Sequence, residues 1–278
     1  MDTTRQDAFF ALSQLEDEQI KVPVGALLIA KDVYPELDIT VYLDKLDQMG
    51  QEAKAQIGGT TDLNAQVADL NHYLFEKKGF AGNEEDYYDP RNSYLNDVLD
   101  RKLGLPITLS IVYIEIGNRL GLRLVGIGFP GHFLVKQKGQ YSETIIDPFE
   151  RGKILTKGDL DEKLQMMPTM RGEQMRPEFL QELTNKQMLV RVLRNLLAIY
   201  LQQKKDHRAV RVGEQITWLA PESALDHRDL GYLYYQIDSY GKSLRAFEKY
   251  LELEEDEPDR EKIEFNVQVL KKQIAMLN

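Results

Sequence analysis

The sequence predicts an α+β protein with a helical N-terminal part, a small antiparallel sheet beside a buried helix, and an all-helical C-terminal region. Three observations predict it. Apolar residues recur at helical spacing up to about residue 75, β-rich segments occur between residues 122 and 147, and beyond about residue 180 the pattern is helical throughout. At 278 residues the chain has room for two domains, because ~100–200 residues per domain is usual. We assign residues 1–175 and 180–278 to them.

The N-terminal part is predicted to contain at least two helices. Pro35 separates an apolar segment that begins at Leu27 from a second segment with apolar residues at helical spacing. That second segment carries Val41, Leu43, Leu46 and Met49. The loop from Gly58 ends on Asp62, which is suited to capping a further helix.

A strongly apolar helix is predicted from Ile107 to Leu120. Pro106 suits its first turn, and Gly121 suits the position just after its end. Apolar side chains lie on nearly every side of this segment, and a helix with so little polar surface is normally buried in the middle of a domain.

Three strands are predicted next, at residues 122–127, 132–137 and 141–147. A two-residue loop of Gly139 and Gln140 favours a type II′ turn, which sets the register of the hairpin. The predicted cross-strand pairs are Lys138–Tyr141, Lys136–Glu143, Leu134–Ile145, Phe133–Ile146 and His132–Asp147. This register predicts an imidazole and a carboxylate on one face of the sheet.

The C-terminal region repeats with a period of 34 residues. At this offset Leu197 aligns with Gly231, Tyr200 with Tyr234, and Ala209 with Ser243. Helix pairs with this period and this pattern of aromatic and small residues are typical of tetratricopeptide repeats. We therefore predict two antiparallel helix pairs and one closing helix, over residues 259–276.

Composition excludes several classes of function. A net charge of −10 argues against nucleic-acid binding and against anchoring on an anionic membrane, since both need clustered basic residues. The chain has no cysteine, so disulfides, zinc-thiolate sites and a thiol nucleophile are all excluded. The N-terminus has no signal-peptide pattern and no apolar run is long enough to span a bilayer, so we expect a cytoplasmic protein.

No cofactor or metal site is predicted. The sequence has no glycine-rich nucleotide-binding motif and no zinc motif. Glu84, Glu85, Asp86 and Asp89 form an acidic group that could attract a cation, but a solvated polar loop is the simpler interpretation.

The order of helix, histidine strand and aspartate strand resembles the transglutaminase-like superfamily, which is related to papain-type folds. The resemblance is carried by Gly131-His132-Phe133 and Ile146-Asp147-Pro148 behind the buried helix. The resemblance is narrower when two further features are included, and it then points to one bacterial branch, the SirB-type family. These features are the repeats and the segment Leu105-Pro106-Ile107-Thr108-Leu109-Ser110. The resemblance implies a cysteine at the start of the helix, a histidine base and an orienting aspartate.

The implied nucleophile position falls between Pro106 and Thr108, where this chain has no thiol. Thr108 and Ser110 are the hydroxyls near this position, and they point about 200° apart on a helix, so at most one faces His132. Thr108 is the better candidate for a site with His132 and Asp147. A threonine hydroxyl is weakly nucleophilic and needs the histidine as a general base.

The leading interpretation is a non-catalytic or vestigial domain, a pseudoenzyme, that serves as a regulatory interaction module. The repeats are expected to supply the surface for a protein or peptide partner. The first alternative is a hydrolase or acyltransferase on peptide or amide bonds that uses Thr108, His132 and Asp147. A weaker alternative, a direct DNA-binding regulator, is disfavoured by the acidic charge. The sequence leaves the oligomeric state open.

Overall fold

The computed structural model describes residues 3–56, 62–139, 143–254 and 258–277. The chain forms two compact units. Asp17–Met188 make up one, which we call the core unit, and Met1–Glu16 with Leu189–Asn278 make up the other, the repeat unit. Within the described residues, no helix has an apolar stretch of the length needed to cross a membrane.

The helices before residue 120 follow the predicted pattern, and one further helix after the sheet, at residues 157–166, was not predicted. They are α1 (Thr3–Ser13), α2 (Val22–Lys31), α3 (Ile39–Gln56), α4 (Leu63–Asn71), α5 (Leu95–Arg101), α6 (Pro106–Arg119) and α7 (Lys157–Met166). Asp62 caps α4 as predicted, since its carboxylate accepts a hydrogen bond from the Ala65 N–H at 2.8 Å. The rest of the predicted loop, residues 58–61, lies outside the described residues.

Helix α6 is the buried helix that the sequence predicts. It starts at Pro106, and Gly121 follows its end with a φ of +86°. Its buried residues run from Ile107 to Ile114 without interruption and continue with Ile116 and Gly117. The N-terminal end of this helix is where the resemblance places the nucleophile.

A small antiparallel sheet confirms the predicted α+β class. Its strands, in spatial order, are β3 (Leu124–Ile127), β4 (Leu134–Lys138), β5 (Glu143–Asp147) and β6 (Lys153–Leu155). A separate two-stranded parallel pair joins β1 (Ala81–Gly82) to β2 (Leu103–Gly104). Strands β1, β2 and β6 were not predicted, because segments of two or three residues carry no measurable periodicity.

The observed register of β4 against β5 corrects the predicted one. Lys138 pairs with Glu143 and Lys136 pairs with Ile145, so every predicted pair is displaced by two residues. The strands are joined by residues 139–142 in place of a two-residue turn. The predicted turn type and the Lys138–Tyr141 pair involve residues 140–142, which lie outside the described residues.

The displacement keeps each side chain on its predicted face, because side chains alternate with a period of two. The predicted ion pair of Lys136 with Glu143 therefore still forms, diagonally, with an N–O distance of 3.2 Å. The position of His132 changes, however. Extending the register sets Leu134 opposite Asp147, and His132 lies two residues before β4 begins.

One face of the sheet packs against α7 in an apolar cluster. Its buried members are Ile127, Phe129, Leu134, Ile145, Leu155, Leu160 and Leu164. This cluster joins β3, β4, β5 and β6 to the first two turns of α7 and so fixes the end of β5, where Asp147 lies.

The repeat unit contains the predicted helix pairs. Its helices are α8 (Asn185–Gln202), of which residues 185–188 belong to the core unit, α9 (Asp206–Leu219), α10 (Ala224–Gln236), α11 (Tyr240–Leu253) and the closing helix α12 (Arg260–Leu277). Shifting α9 by 34 residues reproduces the bounds of α11, so the predicted period is confirmed. A Cβ on Gly231 would lie 2.5 Å from the Phe247 ring, which shows why the repeat needs a small residue there.

The N-terminal helix α1 belongs to the repeat unit, which the sequence analysis did not foresee. Phe9 is buried, and the ring of Phe10 meets that of Trp218 on α9 edge to face at a centroid distance of 5.4 Å. Helix α1 therefore covers apolar surface on the first helix pair.

Candidate functional site

The Thr108 side chain is fully buried in the first turn of α6. Its hydroxyl accepts a hydrogen bond from the Leu105 N–H at 3.0 Å and lies 2.7 Å from the Asn92 carbonyl oxygen, to which it donates. The Leu105 N–H is one of the amides that a helix N-terminus leaves without a partner inside the helix. The hydroxyl thus joins the start of α6 to the segment before α5.

The other residues at the implied nucleophile position have no nucleophilic atom. Ile107 is buried and Pro106 is half-buried. Pro106 lacks an N–H and has a φ suited to the first helical turn, which explains its presence there. The start of α6 is therefore built from residues that favour helix formation and packing.

His132 lies in a tight turn just before β4. Its N–H donates to the Phe129 carbonyl at 2.9 Å, and its ring lies 6.2 Å from the Phe129 ring. Gly131, immediately before it, has a φ of +70°, and a Cβ there would collide with the Met167 side chain. The turn thus requires glycine, and it holds His132 half-buried two residues before the start of β4.

Asp147 organises the turn that follows β5. Its nearly fully buried carboxylate accepts hydrogen bonds from the backbone N–H groups of Phe149 at 3.0 Å and Glu150 at 3.3 Å. Its backbone carbonyl accepts from the Gly152 N–H at 2.9 Å. An aspartate followed by proline is a typical start of such an Asx turn, so the sequence contained a signal for this role.

Lys163 on α7 is the cationic partner of Asp147. Its ammonium lies 3.0 Å from the Asp147 carboxylate and 2.5 Å from that of Glu150. Burial lowers the pKa of Lys163, but the hydrogen bonds from its amine to Glu150 and Asp147 outweigh that effect and raise the pKa overall. The hydrogen bond from Lys163 in turn holds the pKa of Glu150 below its usual value.

Sequence reasoning missed Lys163, because the partner of a carboxylate on a different element has no fixed sequence spacing. In the structure Asp147 lies beside Lys163, and the Thr108 hydroxyl forms hydrogen bonds with backbone groups. A side-chain contact between His132 and Asp147 stays a prediction.

The turn after Asp147 is also tied to the helices of the core unit. The side-chain amide of Asn71 donates to the Gly152 carbonyl at 2.8 Å, and the amide oxygen of Asn71 accepts from the Tyr113 hydroxyl at 2.8 Å. Tyr113 lies on α6 and Asn71 ends α4. Asp147, its turn and α6 therefore form one hydrogen-bonded framework.

A cavity of about 560 Å³ lies beside the C-terminal half of α6. Its apolar walls include Val22, Leu43, Ile111, Ile114, Leu124, Leu183 and Met188. Arg119 also lines it, held by Asp47 at 2.8 Å and Glu115 at 2.6 Å. The α6 residues that line this cavity begin at Ile111, so the cavity is not an opening to Thr108.

In the acidic loop before α5, the Asp89 carboxylate is paired with arginine side chains. Asp89 is buried and pairs with Arg91 at 2.8 Å and Arg101 at 3.3 Å. Burial raises the pKa of Asp89, but its hydrogen bonds from Arg91 hold that pKa below the usual value. Across the described part of the chain, no group of three or more acidic or histidine side chains is arranged to hold a metal ion.

Comparisons with known proteins agree with this architecture. A model of the transglutaminase-like superfamily matches residues 40–194, and a tetratricopeptide repeat model matches residues 196–267. A UPF0162 protein of Xylella fastidiosa strain Temecula1 is 36% identical over 246 residues, covering 87% of each chain. A UPF0162 protein of Vibrio cholerae is 26% identical over 247 residues, covering 88% of this chain and 91% of its own.

Human F-box only protein 21 shares a shorter stretch. It is 38% identical over 104 residues, which amount to 34% of this chain and 17% of the human protein. No solved structure matches the chain. The family model covers more than half of the chain and the bacterial relatives cover most of it, so this chain belongs to the transglutaminase-like superfamily, alongside the UPF0162 proteins.

Proposed function

We propose that this chain is a non-catalytic member of the superfamily, in which the transglutaminase-like core is a scaffold and the helical repeats bind a protein partner. The observation that carries the proposal is the state of Thr108. Its hydroxyl is fully buried, and its proton is donated to the Asn92 carbonyl. A hydroxyl nucleophile must instead give its proton to a general base and face the substrate.

The chemistry of the missing thiol supports the same conclusion. A cysteine with a pKa of about 8.5 becomes a useful nucleophile when a helix N-terminus lowers that pKa. The same helix N-terminus lowers the pKa of a hydroxyl far too little to make it a nucleophile at neutral pH. The chain has no cysteine, and Asp147 is engaged with Lys163 and two backbone N–H groups, which is what a structural role requires.

The catalytic part of the proposal is tested by turnover. We expect the purified full-length protein to show no hydrolysis or acyl transfer on generic amide and glutaminyl-peptide substrates at neutral pH. A His132→Ala variant serves as the matched control, because a non-catalytic scaffold shows the same absence of turnover with and without this histidine. Turnover by the natural protein that disappears in both His132→Ala and Thr108→Val would establish the hydrolase or acyltransferase alternative.

The repeat unit has a recurring exposed apolar position suited to a partner. Leu201 on α8 and Tyr235 on α10 lie 34 residues apart, and their side chains are 44% and 45% exposed. Equivalent positions on the first helix of successive repeats lie side by side, so together they form a surface for an extended peptide. A regulatory association of the SirB type, implied by the resemblance, is part of this proposal.

The binding part is tested by quantitative affinity capture from an extract of the source bacterium. We expect a defined set of proteins to be retained by the natural chain and lost by the Leu201→Asp, Tyr235→Asp double variant. Met166→Asp is the control, because Met166 is equally apolar, 67% exposed and lies on α7 of the core unit. If no protein depends on the two repeat positions, the proposed binding surface is wrong.

A further inference from the structure

The closing helix α12 is apolar on two opposite faces. Ile263, Val267 and Leu270 are buried on the side that packs against α11. On the opposite side Phe265, Val269 and Met276 are 65%, 39% and 84% exposed. At ~100° per residue these three positions fall within about 40° of one another, so they form a single stripe, which we call the outer stripe.

An outer stripe of this kind is unusual on a helix of a repeat array. A helix face that no neighbouring repeat covers is normally polar, and among the described residues nothing covers this one. Isolated apolar residues on a surface need no explanation, but three aligned on one helix face mark an interaction surface.

We propose that the outer stripe is covered by the α12 helix of a second copy of this chain, packed antiparallel about a two-fold axis. The charge pattern identifies the occupant. Acidic Glu261 lies in the first turn of α12 and basic Lys272 lies three turns later, both exposed and both beside the stripe. Among the described residues neither side chain forms an ion pair.

The helix is complementary to itself in one antiparallel register. In an antiparallel pair of helices, the numbers of two residues that face each other have a constant sum. That sum is 534 when Phe265 faces Val269 of the second copy, and it is 533 when Glu261 faces Lys272. The apolar and the charged contacts therefore agree to within one residue, about 1.5 Å along the axis. A two-fold axis forms each contact twice.

The like charges near this contact are turned toward their own repeat. The ammonium of Lys262 lies 5.6 Å from the centroid of the Tyr232 ring, and that of Lys271 lies 2.8 Å from the Glu248 carboxylate. Both partners belong to the repeat unit. In this register Lys272 meets Glu261 of the other copy.

The size of the contact sets the expected strength. With 18 residues, α12 is about 27 Å long, and one pair of such helices buries less than the ~1,600 Å² of a standard stable interface. We therefore expect a weak dimer that dissociates on dilution. This inference is independent of the proposed function, because it concerns neither Thr108 nor the position of Leu201 and Tyr235.

Sedimentation velocity of the full chain over a hundredfold concentration range tests the dimer. We expect the natural protein to shift from monomer toward dimer as its concentration rises. Phe265→Asp should hold it monomeric, whereas Met166→Asp, at an equally exposed apolar position on α7, should leave the equilibrium unchanged. A natural protein that stays monomeric throughout, or a dimer that survives Phe265→Asp, would overturn the proposal.

Charge reversal tests the antiparallel geometry separately. Glu261→Lys and Lys272→Glu should each weaken the dimer at least several-fold, since each creates like-charge contacts twice. The double variant restores opposite charges across the two-fold axis and should recover the dimer. Both residues are exposed, so circular dichroism should show unchanged helix content. Failure of the double variant to recover the dimer would refute this arrangement.

Discussion

Replacing Thr108 by valine separates a structural hydroxyl from a catalytic one. Valine keeps the β-branched shape and removes the oxygen. The natural hydroxyl donates to the Asn92 carbonyl at 2.7 Å and accepts from the Leu105 N–H at 3.0 Å. Without it, these two backbone groups retain only their mutual hydrogen bond, which is long at 3.3 Å.

The expected loss follows from these contacts. Each lost hydrogen bond in a buried position is worth about 1 kcal/mol, and the two bonds of the hydroxyl give about 2 kcal/mol of lost unfolding free energy. The methyl that replaces the hydroxyl adds to this loss, because it takes the place of an oxygen that lies 2.7 Å from the Asn92 carbonyl oxygen, closer than a methyl group packs.

Ser110 is the matched control two residues along the same helix. Its hydroxyl is equally buried but has no hydrogen-bond partner among the residues that the structure describes. Ser110→Ala removes an unsatisfied polar group, so we expect unchanged stability or a gain of up to about 1 kcal/mol. Urea unfolding followed by circular dichroism measures both changes. If Thr108→Val is as stable as the natural protein, the structural role assigned to this hydroxyl is wrong.

Two further predictions concern packing and pH. Gly231→Ala places a methyl against the Phe247 ring and should destabilise the repeat unit by about 1–3 kcal/mol. Gly241→Ala places a methyl no closer than an ordinary contact of 4.0 Å with the Arg245 side chain and should stabilise the repeat unit by about 0.5–1 kcal/mol. The fluorescence of the single tryptophan reports both changes. The hydrogen bond from Lys163 lowers the pKa of Glu150 in the folded protein. The contribution of this hydrogen bond to the unfolding free energy is therefore complete above about pH 4.5, where Glu150 is also ionised in the unfolded chain. The contribution is lost as the pH falls through the lower pKa of the folded state. The stability difference between the natural protein and Lys163→Met should therefore shrink on acidification, and a pH-independent difference would contradict this.

The candidate site was predictable in its parts but not in its contacts. The sequence pointed to Thr108, His132 and Asp147 because residue order along the chain carries the resemblance. The proton acceptor of Thr108 is a backbone carbonyl 16 residues earlier, and the cation beside Asp147 comes from Lys163 on a later helix. Such partners are chosen by how separate elements pack, and no local spacing in the sequence reports them.

The hairpin register shows the same limit within a single supersecondary unit. The predicted and observed registers both set a lysine against Glu143, Lys136 in one and Lys138 in the other. A shift of two residues leaves the same residues on the same face, so charge pairing and burial cannot distinguish the two arrangements. The two registers differ in the length of the connection, which is four residues in the observed register and two in the predicted one.

By itself, the sequence determined the α+β class, the buried helix α6 and the 34-residue helical repeat, because each depends on periodicity or on residues that start and end a helix locally. It also determined that no thiol chemistry is available, since the chain contains no cysteine. Tertiary structure alone decided that α1 joins the repeat unit, that His132 precedes β4, and that Asp147 pairs with Lys163. These features depend on contacts between residues far apart in the chain, where burial and hydrogen bonding select one partner among many of similar local chemistry.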